Sequence, residues 1–425
     1  MRGRCRASSI TLTEGRRLKL VRDYIVFLCR AFVLSFSGTR RFYGWMTLLS
    51  VVSGIGLYAY SKQLAQGLTV TGLTDQVSWG AYIANFTYLV GVAAAAVMLV
   101  IPAYIYRNKE MHDVVLFGEL LAIAAIVMSL LFVMVDLGRP DRFWHLVPVV
   151  GVFNFPGSML SWDVIVLNGY LLLNLHICGY LLFMKYMDRK PTLLFYMPFV
   201  LVAIAWAVSI HTVTAFLYVG LVGRPFWNTA IVAPRFLGSA FTAGPGILIL
   251  VFQIIRAMSH YEISDRALHL LRNIVTVSLL VNLFLLGCEA FKEFYSASVH
   301  SSSARYLFFG LHGHDALVPW MWSAMLMELV AGIILIIPPL ARRIWFLNTA
   351  CVLAIIGIWI EKGMGLIVPG FVPTPLGNIV EYTPSLNETL VCIGIWEFGL
   401  LLFSWMLHVA IPIMTGQFRC RTQEV

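Results

Sequence analysis

Charged side chains are scarce: 12% of the 425 residues are Asp, Glu, Lys or Arg, against about 25% in ordinary soluble domains. Apolar residues make up 60%, more than water-facing packing could cover. That excludes a soluble globular chain. Cysteine is sparse as a ligand source. The seven cysteines (Cys5, Cys29, Cys178, Cys288, Cys351, Cys392, Cys420) stand singly, with no Cys-x-x-Cys, so no four-thiolate iron–sulfur cluster is expected. A cleavable signal peptide is not evident either. The first stretch is polar and basic, and the apolar run Tyr24–Phe36 is broken by Arg30, the pattern of an interfacial amphipathic helix facing anionic lipid. The net charge of +9 does not form a nucleic-acid stripe, because the basic residues gather at one set of helix ends.

What the sequence has is long apolar runs. A span needs roughly 20 mostly apolar residues to cross about 30 Å of hydrocarbon. Runs near 43–61, 80–105, 114–135, 162–186, 194–221, 236–257, 270–291, 317–340, 344–366 and 389–414 meet that length. The expectation is an all-α polytopic membrane protein of about ten transmembrane helices, arranged as two four-helix bundles (spans two to five and six to nine) plus peripheral helices. Most of the 30 Lys and Arg residues fall in alternate connections, including Asp188-Arg189-Lys190 and Arg342-Arg343, which places both termini in the cytoplasm. The organisation read from this is a basic cytoplasmic segment with its interfacial helix (1–42), a first helical half (43–235), a second half (236–415) and a cytoplasmic tail (416–425). The outside connections 136–161, 222–235, 292–316 and 367–388 are long and rich in aromatics, Pro and Gly; such loops cover or dock something, or form an interfacial aromatic belt.

Ionisable groups inside a membrane are costly, so each is a functional candidate. One cluster is Asp136-Leu-Gly-Arg139-Pro-Asp141-Arg142-Phe-Trp144-His145, followed by Ser161-Trp-Asp163. Asp136 and Arg139, three apart, are expected to pair, and Gly138 and Pro140 to stop the helix. These charges serve either as a structural clamp on the loop or as functional groups. A second cluster is His211-Thr-Val-Thr214-Ala-Phe-Leu-Tyr218, on one helical face, with His211 about 15 Å below the outer surface at 1.5 Å per residue. A quinone head group asks for such donors and for a group that releases a proton near neutrality. Trp227 and Arg235 follow at the same surface. The third is a scatter of acids on four different spans, Glu289, Glu328, Glu361 and Glu397, which suits a proton path or helix-to-helix hydrogen bonds. A haem held by His176 and His211 is disfavoured because their depths differ.

These segments, together with Trp227-Asn-Thr-Ala-Ile-Val-Ala-Pro-Arg235-Phe, resemble the NrfD-like polysulfide reductase membrane subunits. The likeness covers most of the chain, is most specific over 136–245, and is to the ten-helix branch of periplasm-facing quinone reductase and sulfate-respiration complexes. The resemblance implies a subunit of a menaquinone-dependent oxidoreductase in the cell inner membrane, without haem or cluster of its own. It implies menaquinone bound near the periplasmic face and electrons exchanged with a periplasmic ferredoxin-like iron–sulfur subunit. A molybdopterin-type protein or multihaem cytochrome c would complete the complex. It assigns Asp136, Asp163 and His211 to the quinone region with Arg139. Arg142, His145, Thr214, Tyr218, Trp227 and Arg235 are expected to line the pocket or its mouth. A secondary transporter using the intramembrane acids is the competing reading, and a purely structural anchor is the third.

Overall fold

A computed structural model of the chain describes residues 4–94, 96–259, 261–295 and 301–420, with side chains from residue 20 onward. The N-terminal cations Arg2 to Lys19 and the tail past Cys420 lie outside the described side chains. In order the α-helices are α1 (Arg4–Ser35), α2 (Arg40–Gln66), α3 (Ala81–Ala94), α4 (Val97–Val100), α5 (Lys109–Asp136), α6 (Met159–Tyr186), α7 (Leu193–Val219) and α8 (Val232–Met258). Next come α9 (Asp265–Tyr295), α10 (Ser302–Phe309), α11 (Val318–Ile336), α12 (Pro338–Ala341), α13 (Ile344–Ile358), α14 (Gly365–Ile367) and α15 (Leu386–Met414). Among the described residues ten helical segments are long and apolar enough to cross a membrane. They fall where the apolar runs predict them, usually a few residues longer. The chain is an all-α, multi-pass membrane protein.

Local chemistry sets the helix ends. The side chains of Thr39, Asn108 and Ser385 accept from the backbone N–H groups of Phe42, Met111 and Glu388, capping α2, α5 and α15. α5 stops at Asp136, and Gly138 and Pro140 follow it as expected. Two spans are interrupted by π-helical turns, Ile101–Ile105 after α4 and Trp359–Met364 after α13. Such turns insert an extra residue and are frequent at functional sites.

α3, α5, α6 and α7 pack in a closed ring, each on the next and α7 back on α3. α8, α9, α11 and α13 close a second ring. The seam between them is α3 against α8 and against the π-turn after α13. α3 lies at the centre and every one of its residues is buried. α2 and α15 pair with each other outside the rings, with α15 resting on α5. The lipid-facing sides expose Leu57, Leu201, Phe284 and Leu326, as a helix solvated by hydrocarbon should.

Because the spans alternate in direction, the ends at Asp136, Met159, Val219, Val232, Tyr295 and Phe371 gather on one side, together with the longer connections. That side is the long-loop face. The connection after α9 carries a helix of its own, α10, instead of the irregular loop read from its composition.

Candidate functional site

Three of the four acids singled out in the second half converge on one cation. Arg235, in the first turn of α8, pairs with Glu289 of α9 and with Glu361 of the π-turn. Asn282 of α9 donates to Glu361 Oε2 at 2.9 Å and to Glu328 Oε2 of α11 at 3.2 Å. All five side chains are buried. Glu328 fits only because residue 357 is glycine; a Cβ there would stand 2.8 Å from Glu328 Cγ. Glu397 is not part of this group. It sits half-buried on α15, which packs on α2 and α5 instead. Arg235, expected to line the quinone pocket with Trp227, is the counter-ion of Glu289 and Glu361.

Next to Glu361, Lys362 points the other way, across the seam. It is buried, its Nζ lies 3.4 Å from the Phe236 carbonyl and 4.4 Å from the centre of the Phe236 ring, and Gly91 of α3 leaves room for it. Counting charges, three carboxylates face two cations, so full ionisation would leave one net negative charge in the interior. Isolated charge there is expensive, so ionisation of all three carboxyls together is disfavoured. Two water-sized voids flank it. One is lined by Arg235, Ser239, Glu361 and Lys362, the other by Arg235, Glu289, Glu293 and Glu361, leading toward the long-loop face.

The first ring builds the second constellation. Thr214 of α7 donates to Asp163 Oδ1 of α6 at 2.8 Å. One turn earlier His211 Nδ1 stands 3.3 Å from the Ala207 carbonyl. A carbonyl only accepts, so Nδ1 carries the hydrogen and Nε2 is left as the basic nitrogen. Nε2 is buried and has no hydrogen-bond partner in the chain. Asp163, His211 and Thr214 are buried so fully (2%, 0% and 0% exposed) that a ring can reach them only after side chains part.

Tyr218 and Trp227, expected to line the pocket, are buried and hydrogen-bonded within the chain. Tyr218 is hydrogen-bonded to Thr87 of α3, and Trp227 Nε1 donates to the Leu366 carbonyl at 2.8 Å. With Trp79, Phe236 and Phe371 they form an aromatic plug at the long-loop end of the seam, Trp227 and Phe371 meeting edge-on at 5.0 Å. Arg224 stacks over Phe371 at 4.7 Å, and its partial burial lowers its pKa from the ordinary arginine value.

The loop beyond α5 departs from expectation. Arg139 does not pair with Asp136; it pairs with Asp141 through bonds of 3.0 and 2.9 Å, both side chains exposed. Pro140 turns the chain there into a 3₁₀ turn, Pro140–Leu146, and swings Arg139 away from α5. Arg139 holds the Asp141 carboxyl below its ordinary range, and Asp141 in turn raises the guanidinium. Asp136 keeps one carboxyl oxygen buried without a partner. Arg142 and His145 are exposed, and the His145 ring stacks on Trp144 at 3.8 Å. His176 is exposed on the outside of α6, so it cannot share an iron with the inward, buried His211. Among the described residues no three His, Cys, Asp or Glu side chains stand close enough to hold a metal ion.

The sequence reading missed Lys362, Asn282, Glu119 and Glu388. Glu119 and Lys362 fall inside expected spans and meet the same criterion as the other buried charges. Glu388 sits one residue outside the expected last span. It is fully buried and accepts from the Gly72 N–H at 2.9 Å and from the Tyr382 hydroxyl.

The sequence profile of the family "Polysulphide reductase, NrfD" matches residues 69–372. A dimethyl sulfoxide reductase membrane subunit of Halobacterium salinarum, so named provisionally, is 26% identical over 400 residues, covering 84% of this chain and 89% of that one. A selenate reductase subunit of Mesobacillus selenatarsenatis is 23% identical, covering 88% and 95%. The Hdr-like menaquinol oxidoreductase integral membrane subunit of Archaeoglobus fulgidus is 24% identical, covering 85% and 91%.

Proposed function

Because the chain belongs to the polysulphide reductase NrfD family, we propose that it is the quinone-interacting membrane subunit of a multi-subunit oxidoreductase. The relatives' names support this: they are subunits of dimethyl sulfoxide, selenate and menaquinol oxidoreductases. Menaquinone is the quinone we assign. The redox partner is a ferredoxin-like iron–sulfur protein on the long-loop face, with a molybdopterin-type or multihaem cytochrome c protein beyond it. The chain then sits in the inner membrane with both termini cytoplasmic.

The observation that carries the reading is the unpartnered Nε2 of His211, buried one turn from the Thr214–Asp163 hydrogen bond. A quinone bound there supplies a two-electron, two-proton couple. The chain's own part is binding and proton handling. His211 Nε2 takes or returns a proton at the ring oxygen, and Ala207 fixes the tautomer that leaves that nitrogen free. Asp163, oriented by Thr214, serves as the second proton-holding group. The absence of exposure keeps water from competing for these hydrogen bonds. Arg139, Asp141, Arg142 and His145 form the charged rim that receives the partner.

The acid network around Arg235 fits proton transfer coupled to this chemistry, since its carboxyls outnumber the cations that face them and water-sized voids lie beside them. It also gives the transporter reading its one specific support. Assaying quinone turnover by the intact complex with His211→Ala separates the two. Turnover falling by about 100-fold or more with assembly intact supports the quinone site. Full turnover in that variant, with ion movement in liposomes lacking any electron donor, favours the transporter.

A further inference from the structure

The π-turn Trp359–Met364 sends two neighbouring charges in opposite directions. Glu361 turns into the second helical ring, to Arg235 and Asn282, while Lys362 extends past Phe236 of α8 to Gly91 of α3, the central helix of the seam. The lysine is 3% exposed. Its ammonium carries three N–H donors, and among the described residues it meets the Phe236 carbonyl at 3.4 Å and the Phe236 ring at 4.4 Å. One long hydrogen bond and a ring face compensate poorly for a cation taken out of water. A methionine would fill the same space without that penalty.

His211 stands at a similar level across the seam. It precedes Val219, the long-loop end of α7, by eight residues, and Lys362 precedes Phe371, the long-loop end of its own span, by nine. At 1.5 Å per residue both lie about 12–14 Å in from that face. Lys362 is within electrostatic reach of the imidazole. α8 touches both: the Phe236 ring covers the ammonium, and Phe241 faces the His211 ring at 6.5 Å. Gly91 and Ala240 add little bulk beside the ammonium; a Cβ on Gly91 would stand 2.9 Å from Nζ and 3.6 Å from Ala240. The two groups are also chemically complementary. His211 Nε2 carries no hydrogen, so it accepts from a hydroxyl but has nothing to donate to an oxidised carbonyl. An ammonium donates to a ring oxygen in either redox state.

We propose that Lys362 is a second quinone-binding residue, donating a hydrogen bond to the ring oxygen opposite the one that His211 meets, so that the quinone lies in the seam between the two helical rings. The proposal rests on the quinone reading above and adds the group that orients the oxidised form.

The test uses the intact complex loaded with menaquinone carrying carbon-13 at one ring carbonyl or the other. In wild type the infrared stretch of one labelled carbonyl is expected below its position in lipid alone. In Lys362→Met that band returns to the lipid position and the quinone Kd rises about tenfold or more, while in Lys362→Arg, which still donates, the band stays low. A band that stays low in Lys362→Met overturns the inference and leaves Lys362 a cation–π strap on Phe236. Wild-type protein gives a second reading that keeps the lysine in place. With nitrogen-15 in the lysine side chains, solid-state NMR is expected to show a dipolar contact between Nζ and the same carbonyl carbon, absent in Lys362→Arg. Bound quinone without that contact in wild type also overturns the inference. Failure of the quinone reading looks different and takes the inference with it: neither carbonyl band shifts in wild type, and His211→Ala binds menaquinone as tightly as wild type does.

Discussion

Arg235 and Glu361 are ion-paired across the contact between α8 and the π-turn after α13, 126 residues apart in sequence and both buried. Glu289 takes the other side of the same guanidinium. A cation shared by two acids in hydrocarbon makes each of the three side chains costly to remove alone.

Arg235→Ala is therefore expected to destabilise the chain by about 3–5 kcal/mol, the penalty for leaving a buried charge without its partner. Thermal unfolding of the detergent-solubilised protein measures it. Arg235→Lys should recover part of the loss, since an ammonium supplies the charge but not the fork that meets two carboxylates at once. Glu328→Gln should cost less than about 1 kcal/mol. Glu328 accepts from Asn282 and lies beside Glu361, and an amide oxygen there still accepts from Asn282. If Arg235→Ala unfolds like wild type, the network contributes nothing to the fold.

How far the sequence reveals all this differs by level. The ten spans are legible because hydrocarbon imposes a length and a polarity on each one separately. The convergence of Glu289, Glu328 and Glu361 on Arg235 is not, because it is assembled from helices far apart in sequence. The Asp136–Arg139 pair fails for a local reason: α5 ends at Asp136, so the three-residue helical spacing stops before Arg139. Asp141, on the same turn as Arg139, wins it instead. The His211, Thr214 and Tyr218 face is legible from periodicity, yet only packing shows that Tyr218 is spent on Thr87 while His211 Nε2 is free.

Thr214→Val keeps the volume and removes the donor to Asp163. Losing a hydrogen bond to a buried acid costs about 1–3 kcal/mol, so quinone turnover should drop by roughly 5- to 160-fold. Steady-state quinone reduction by the complex, with assembly checked by size exclusion, measures this. A variant matching wild type would remove Asp163 from the chemistry.

The Arg139–Asp141 pair is exposed, so Arg139→Ala should leave unfolding unchanged. On the proposed docking role its effect should appear in partner binding. Arg139 holds the Asp141 carboxyl below its ordinary range, so the pair exists at all pH values above the unperturbed value of about 3.9 and is lost as pH falls through the lowered one. Partner binding followed from pH 8 downward should stay level to about pH 4 as far as this pair is concerned, then weaken. In Arg139→Ala the carboxyl returns to its ordinary range, so it protonates at higher pH than in wild type. Partner affinity should also lose part of its salt dependence in that variant. Identical salt curves would move the docking surface elsewhere on the long-loop face.

α2 and α15 cross where Gly56 meets Gly394, and a Cβ on Gly394 would stand 2.5 Å from the Gly56 Cα. Close approach of backbones through small residues is how membrane helices gain packing without a hydrophobic drive. Beside this crossing, Trp45 Nε1 donates to Ser404 Oγ at 3.2 Å and Asn387 donates to the Ala59 carbonyl at 3.1 Å. Of its side chains only those of Leu49, Ala59 and Gln63 are buried, with Gly56. Gln63 is the polar exception, donating to the Val135 carbonyl at 2.6 Å and accepting from Tyr82. Gly394→Val therefore cannot be absorbed by rotating a neighbouring side chain; the two backbones must separate. Overpacking of this kind costs about 1–3 kcal/mol. The loss should appear as protease sensitivity of α2 and easier unfolding, while quinone turnover, which we propose is set in the first ring, should stay within about twofold of wild type. A Gly394→Val chain as resistant to protease as wild type would show that α2 is held elsewhere, with Gln63 the first place to look.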